Sequence, residues 1–293
     1  MLYVSLPWYD LKETQSATDA FWEHLAGRLR SHGLRDVPDR LQRDVGYQDQ
    51  WTSGRLLFSQ ACGYDVLMPF RSHLRMIATP VYEAPGCQGP WYSSVVVVRE
   101  DSSVEHIEQL RGARCVINSP TSHSGMNALR ALVAPMHRDG RFFASVRVSY
   151  AHEASLEMIA SGKADVGAID GVTYALLARH RPRALSATRV MCCSGRIPAP
   201  PFVTGSGVTD DDLQRMQDAL FETLESPAMR TARDELMLAS AKIVPPDRYQ
   251  AIVDWEWEAL NLGYAEIQSS CGGEAGRQDG ARNPFVRAES PES

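Results

Sequence analysis

The chain of 293 residues has no block of basic residues, no Cys-x-x-Cys pair and no apolar stretch approaching the length of a bilayer span. Each absence closes a class of function. Thirty Lys+Arg against 36 Asp+Glu, a formal charge of −6, leave no cluster of cations to neutralise phosphates along a duplex, so a nucleic-acid partner is excluded. A spanning helix needs roughly 20 consecutive apolar residues, so no segment crosses a membrane as a helix. The cysteines at 62, 87, 115, 192, 193 and 271 show neither zinc-ribbon nor thioredoxin spacing. Cys62 and Cys87 both sit in glycine-flanked turns that could meet in space; an oxidising compartment leaves open whether they join, and in cytosol they stay reduced.

Catalytic signatures are also missing. There is no Gly-x-Ser-x-Gly elbow, Walker loop or Gly-x-Gly-x-x-Gly, and Gly205-Ser-Gly207 lacks a third glycine. His152-Glu153 opens like a zinc-protease helix, but Leu156 stands where the second ligand would be. No metal or cofactor is expected. The start lacks an export pattern, because Met1–Pro7 runs directly into Trp8-Tyr9-Asp10, Lys12 and Glu13. That start reads as a cytosolic chain or as one beginning after a removed leader.

What is present is an ordinary globular composition, 44% hydrophobic, 23% charged and 8% aromatic, over a length that fits two modest domains. Apolar strand patterns at 2–6, 56–58, 76–82 and 93–99 are joined to a helical pattern at 18–31, where Phe21, Trp22, Leu25 and Leu29 share one face. The run Val95–Val98 predicts a strand buried on both faces. Strands at 114–117, 145–149, 166–169 and 189–193 then alternate with helices at 104–110, 126–133, 154–161 and 172–179, which predicts a parallel sheet. A proline-rich passage at 197–203 carries the chain back, and helices at 210–225, 228–238 and 246–262 close the fold. The expected class is α/β with two lobes. Residues 1–95 and 196–268 form the first, 96–195 an inserted second, and 269–293 a polar tail.

Ligands of open α/β sheets bind at the carboxyl ends of strands, so the cleft between lobes is the expected site. The most informative stretch there is Asn118-Ser-Pro-Thr-Ser-His-Ser-Gly125, whose hydroxyls, glycine and following helix start suit an anion. Its plainer reading is a helix cap by Ser122 or Ser124. Tyr9 ends the first strand segment, and Ser59, Gln60, Tyr64, Tyr92, Ser93, His152 and Asp170 occupy comparable strand-end positions. Taken singly, Tyr64 and Tyr92 read as packing residues, His152 as a loop histidine and Asp170 as a helix cap.

Together these residues resemble the phosphate/phosphite/phosphonate substrate-binding proteins of ABC transporters, which have the type II periplasmic-binding-protein fold. The likeness covers roughly residues 2–265. It is carried by Ser5–Asp10, Ser59–Tyr64, Gly86–Ser94, Ser122–Gly125, His152-Glu153 and Gly162–Asp170. It implies that Ser122, His123, Ser124 and Gly125 cradle phosphonate oxygens, with His123 where the family has threonine. It further implies that Tyr64 and Tyr92 wall the ligand, that His152 donates to an oxyanion, and that Asp170 faces the ligand's far end, where an ammonium would lie. The expected function is uptake of a small phosphorus oxyanion or phosphonate in the periplasm, handed to an ABC permease, with no catalysis. The rival is a cytosolic enzyme on the same scaffold with His152 or Asp170 as general base, or an intracellular ligand sensor.

Overall fold

A computed structural model describes residues 2–267. In chain order the elements are β1 (Tyr3–Val4), α1 (Gln15–Ser31), α2 (Tyr47–Thr52), β2 (Leu56–Gln60), α3 (Gly63–Leu67), β3 (Leu74–Tyr82), β4 (Trp91–Tyr92) and β5 (Ser94–Arg99). There follow β6 (Arg114–Ile117), a π turn (His123–Asn127) continuing into α4 (Ala128–Val133), β7 (Ser145–Val148), α5 (His152–Ala160), β8 (Val166–Asp170), α6 (Gly171–His180), α7 (Pro182–Leu185) and β9 (Thr188–Cys193). The chain ends with β10 (Ile197–Pro198), β11 (Phe202–Gly205), α8 (Asp210–Glu225), α9 (Arg230–Glu235), β12 (Leu238–Lys242) and α10 (Gln250–Asn261).

These strands make two five-stranded sheets, ordered β1-β2-β11-β3-β12 and β7-β6-β8-β5-β9. The chain passes from the first to the second through β4 and returns through β10, and the two crossings pair with each other, Tyr92 opposite Ile197. Fixing both crossings in one small ribbon sets the sheets about a common axis. The expectation of a purely parallel second sheet is corrected here. Only β6 pairs parallel, with β7 and β8, while β5 runs antiparallel to both β8 and β9. The cause is topological: β5 enters from the first sheet and β9 leaves toward it, so neither belongs to a βαβ crossover.

Burial follows the sequence pattern where the pattern is strong. Val95–Val98 are all buried, as a strand flanked on both edges and covered on both faces requires. Each such valine contributes roughly 1.5–3 kcal/mol relative to exposure. Phe21, Trp22, Leu25 and Leu29 of α1 pack on Phe58 and Phe202 of the first sheet. Two expectations shift. The proline-rich passage contains β10 and the central strand β11. The helix expected to reach residue 238 stops at Glu235, because Met237 takes a left-handed backbone, φ 51°, and turns the chain into β12.

Two helices join the sheets. Val172, Ala175 and Leu176 of α6 are buried in the first sheet's core, while Leu177 faces the second. In and after α10, Ile252 packs with the first core and Ala259, Tyr264 and Ile267 with the second. The tail expected from 269 lies outside the described residues. Among those residues no helix is long and apolar enough to cross a membrane.

Candidate functional site

The loop after β6 forms the centre of the site. Ser122 ends it with extended backbone and caps the next helix, its Oγ accepting from the Gly125 amide at 3.1 Å. Such a cap stabilises a helix by about 1 kcal/mol. The helix therefore starts at His123, three residues earlier than the apolar periodicity implied. Its first turn is a π turn closed by Asn127 N–H onto the Ser122 carbonyl at 3.0 Å, a widened geometry that recurs at functional sites. Helix starts leave their first amides without intrahelical partners, and such amides can donate to an anion.

A second helix start meets it. His152 is the first residue of α5 rather than a loop residue, and its Nε2 lies 3.0 Å from Ser124 Oγ. Its Nδ1 is buried without a partner, as is Asn118 Oδ1. Gly125 brings these groups together, because a Cβ there would lie 1.8 Å from Asn118 Oδ1 and 3.1 Å from His152 Cε1. Burial pushes His152 down to about 4, so the imidazole is neutral at neutral pH and offers one N–H. His123 is buried, packs its ring 5.3 Å from that of Trp255, and is pushed down to about 3 by burial and by the nearby Arg130 charge. The site is thus built from neutral donors and backbone dipoles.

The first sheet supplies the facing groups. Cys62 lies by the His123 backbone, its thiol pushed up to about 12 by burial. Tyr92 is buried at the crossing, and its hydroxyl is pushed well up by burial and by Asp170. Tyr9 donates to Asp170 Oδ2 at 3.2 Å, a bond between the two sheets' loops. Asp170 also caps α6, its Oδ1 accepting from the amides of Val172 and Thr173, both at 2.9 Å. Desolvation outweighs these bonds and pushes the carboxyl up to about 6.

Other candidates are engaged elsewhere. Ser59 Oγ bonds Ser5 Oγ at 2.9 Å and accepts from Trp51 Nε1 at 3.1 Å. Gln60 Nε2 donates to Tyr82 Oη and to the Pro200 carbonyl, both at 2.9 Å, which ties β2 to β3 and to the return passage. Ser93 Oγ donates to the Gly86 carbonyl at 3.2 Å. Tyr64 sits near Glu256 and Arg130, and burial with the Glu256 charge pushes its hydroxyl up to about 12. Cys62 and Cys87 are free thiols. Among the described residues, no group of three or more His, Cys, Asp or Glu is placed to hold a metal.

A fold of two sheets joined by paired crossings has known counterparts. The family described as periplasmic substrate-binding proteins of phosphonate ABC transporters matches residues 5–249. The chain belongs to this family. Its fold is that of the two-lobed periplasmic binding proteins. The binding-protein component of an ABC phosphonate transporter from Pseudomonas aeruginosa superposes with a TM-score of 0.73 at 15% identity, over 89% of this chain and 87% of that one. PhnD1 from Prochlorococcus marinus, in complex with methylphosphonate, gives 0.70 at 15% identity, over 89% and 98%. At such identities the likeness speaks for the fold. No curated protein sequence matches the chain. The family is one of binding proteins, not enzymes, and its members work in the periplasm beside ABC transporters.

Sequence reasoning missed several residues of this cleft. Asn118 directly follows β6 and carried a readable signal, a polar side chain at a strand's carboxyl end. Trp255 and Cys62 gave none, because α10 and the α3 start reach His123 only through the tertiary fold.

Proposed function

We propose that this member binds a small phosphorus oxyanion or phosphonate between its two lobes and delivers it in the periplasm to the permease of an ABC transporter. The lobes in this reading are residues 1–95 with 196–268 and residues 96–195, with α10 as a strut between their cores. The observation that carries the reading is the convergence of Ser122, Ser124, Gly125 and His152 around two buried polar atoms without partners, Asn118 Oδ1 and His152 Nδ1. Buried polar groups cost about 1–3 kcal/mol when unpaired, so a singly protonated phosphorus oxyanion, whose bare oxygen accepts from His152 and whose P–OH donates to Asn118 Oδ1, is favoured there. Neutral donors suit a tetrahedral oxyanion, which accepts from several directions and is held by aligned dipoles.

In this reading His123 and Ser124 present amides to the oxyanion, Gly125 lets the backbone approach it closely, His152 donates through its neutral ring, and Tyr9, Tyr92 and Asp170 bound the substituent. Ser59, Gln60 and Ser93 act at one remove, by fixing the strand ends of the first lobe. Closure is selected by ligand contacts to both lobes at once. Calorimetric titration tests this, using phosphate, phosphite, methylphosphonate and 2-aminoethylphosphonate on protein unfolded and refolded to strip carried ligand. Micromolar or tighter binding of one anion, recovered unchanged, is the expected result and identifies the cargo. Failure of all four to bind would reject the phosphorus reading.

A further inference from the structure

The end of α6 holds three consecutive basic residues, Arg179, His180 and Arg181, and all three face elements of the first sheet. Arg181 Nε and Nη2 donate to the two carboxylate oxygens of Glu13 at 2.6 and 2.8 Å, a bidentate fork. Its Nη1 donates to Glu153. Glu13 lies just before α1 on the first-sheet side, whereas Glu153 follows His152 in the first turn of α5 on the second. Arg179 donates to the Asp234 carbonyl, and His180 Nε2 stands 3.6 Å from Glu235 Oε2, an ion-pair distance too long for a hydrogen bond. Both partners lie in α9.

We propose that this basic triplet is a clasp at the cleft rim that holds the lobes together around the ligand, with Arg181 as its positioning residue. Arg181 does not touch the ligand in this scheme. It ties Glu13 of one lobe to Glu153 of the other, and Glu153 is the residue next to His152 in the turn that orients its ring. Separation of the lobes would pull Glu13 off the fork and leave Arg181 paired with Glu153 alone. Closure thereby engages the same guanidinium that holds the residue beside His152. The pairs are partly open to water, with side-chain exposures of 28% for Arg181, 34% for Glu13 and 42% for Glu153, so each is modest and screened by salt. The clasp therefore governs how long the ligand stays rather than whether it is recognised.

The inference rests on the solute-binding reading, and its test separates the two. Release of methylphosphonate is followed by stopped flow for wild type, Arg181→Glu, Glu13→Arg and the double exchange, at low and at high salt. Arg181→Glu is expected to release the anion about three- to tenfold faster at low salt, with the gap closing as salt rises. The double exchange, compared in a Glu153→Gln background so that position 153 carries no charge, restores opposite charges across the rim and is expected to return the rate to within about twofold of Glu153→Gln alone. A residue needed only for folding would not be rescued by reversal. Equal rates in wild type and Arg181→Glu, or no repair in the double exchange, would overturn the clasp.

A second measurement needs no ligand. Full-length protein carrying Glu13→Cys and Arg181→Cys is treated with a short bis-maleimide, and the linked peptides are identified by mass spectrometry. A link between positions 13 and 181 in protein that binds none of the anions would keep the clasp and reject the cargo. Binding without that link, loaded or empty, would reject the clasp and keep the cargo.

Discussion

Replacing Asp170 by asparagine is expected to make the protein more stable at neutral pH and poorer at holding an amine-bearing ligand. The carboxyl is buried, 2% exposed, and sits at about 6 in the native state against an ordinary value of 3.8. Native protein therefore binds this proton more tightly than the unfolded chain does. The group's stabilising contribution is complete below about 3.8 and is lost as pH rises through about 6. The difference corresponds to about 3 kcal/mol, which is what keeping the carboxylate ionised costs the native state at pH 7.5. Asparagine retains the shape and caps helices well, so the amides of Val172 and Thr173 keep an acceptor. Urea unfolding of Asp170→Asn and wild type is the assay. The variant should gain about 1–3 kcal/mol at pH 7.5 and nothing at pH 4. In calorimetry it should lose at least tenfold affinity for 2-aminoethylphosphonate, about 1.4 kcal/mol, and little for methylphosphonate. A variant less stable than wild type at pH 7.5 would refute the reasoning, because the Tyr9 and amide bonds would then outweigh desolvation. Equal losses for both phosphonates would leave Asp170 a cap without a ligand role.

Gly125→Ala should abolish anion binding and destabilise the protein by roughly 1–3 kcal/mol, since the new Cβ would fall 1.8 Å from Asn118 Oδ1. Adding Asn118→Ala should recover stability but not binding, and urea unfolding with calorimetry on both variants decides it. Ser122→Ala and Tyr92→Ala should each weaken binding at least tenfold, about 1.4 kcal/mol. Wild-type affinity in both would remove these residues from the site. His123 is held at about 3 in the native state, so the protein should lose stability as pH falls below about 6.5. In His123→Thr that loss should be smaller by more than about 1 kcal/mol between pH 6.5 and 4.5 in urea midpoints, and parallel slopes would contradict the assignment.

Local chemistry was legible where a single segment sets it. Val95–Val98 announced a strand covered on both faces, and the hydroxyl-rich loop after β6 announced a helix start capped by serine. Boundaries slipped where the signal was not hydrophobic. His123 and His152 open their helices with polar residues, so apolar periodicity placed both starts two or three residues late. Strand β12 was hidden because Leu236, Met237 and Leu238 continue a helical pattern, and only the left-handed Met237 ends it. Sheet direction was read as parallel because alternation of strand and helix carries no information about which strands enter or leave through the crossings.

The cleft divides the same way. One wall of the proposed site was readable because it comes from strand ends in sequence order: Ser122, Ser124, Gly125, His152 and Asp170 all follow or begin elements of the second sheet. The opposite wall depends on partners 50 to 170 residues away, such as Tyr9 on Asp170 and Glu13 on Arg181, which no local pattern encodes. In the proposed scheme those long-range pairs are the contacts that would differ between an open and a closed protein. A binding protein of this design can therefore keep its recognition loop in one contiguous motif while ligand residence is set by scattered charges at the rim. Substitutions in the motif should change which anion is held, and substitutions among the rim pairs should change how long it is held.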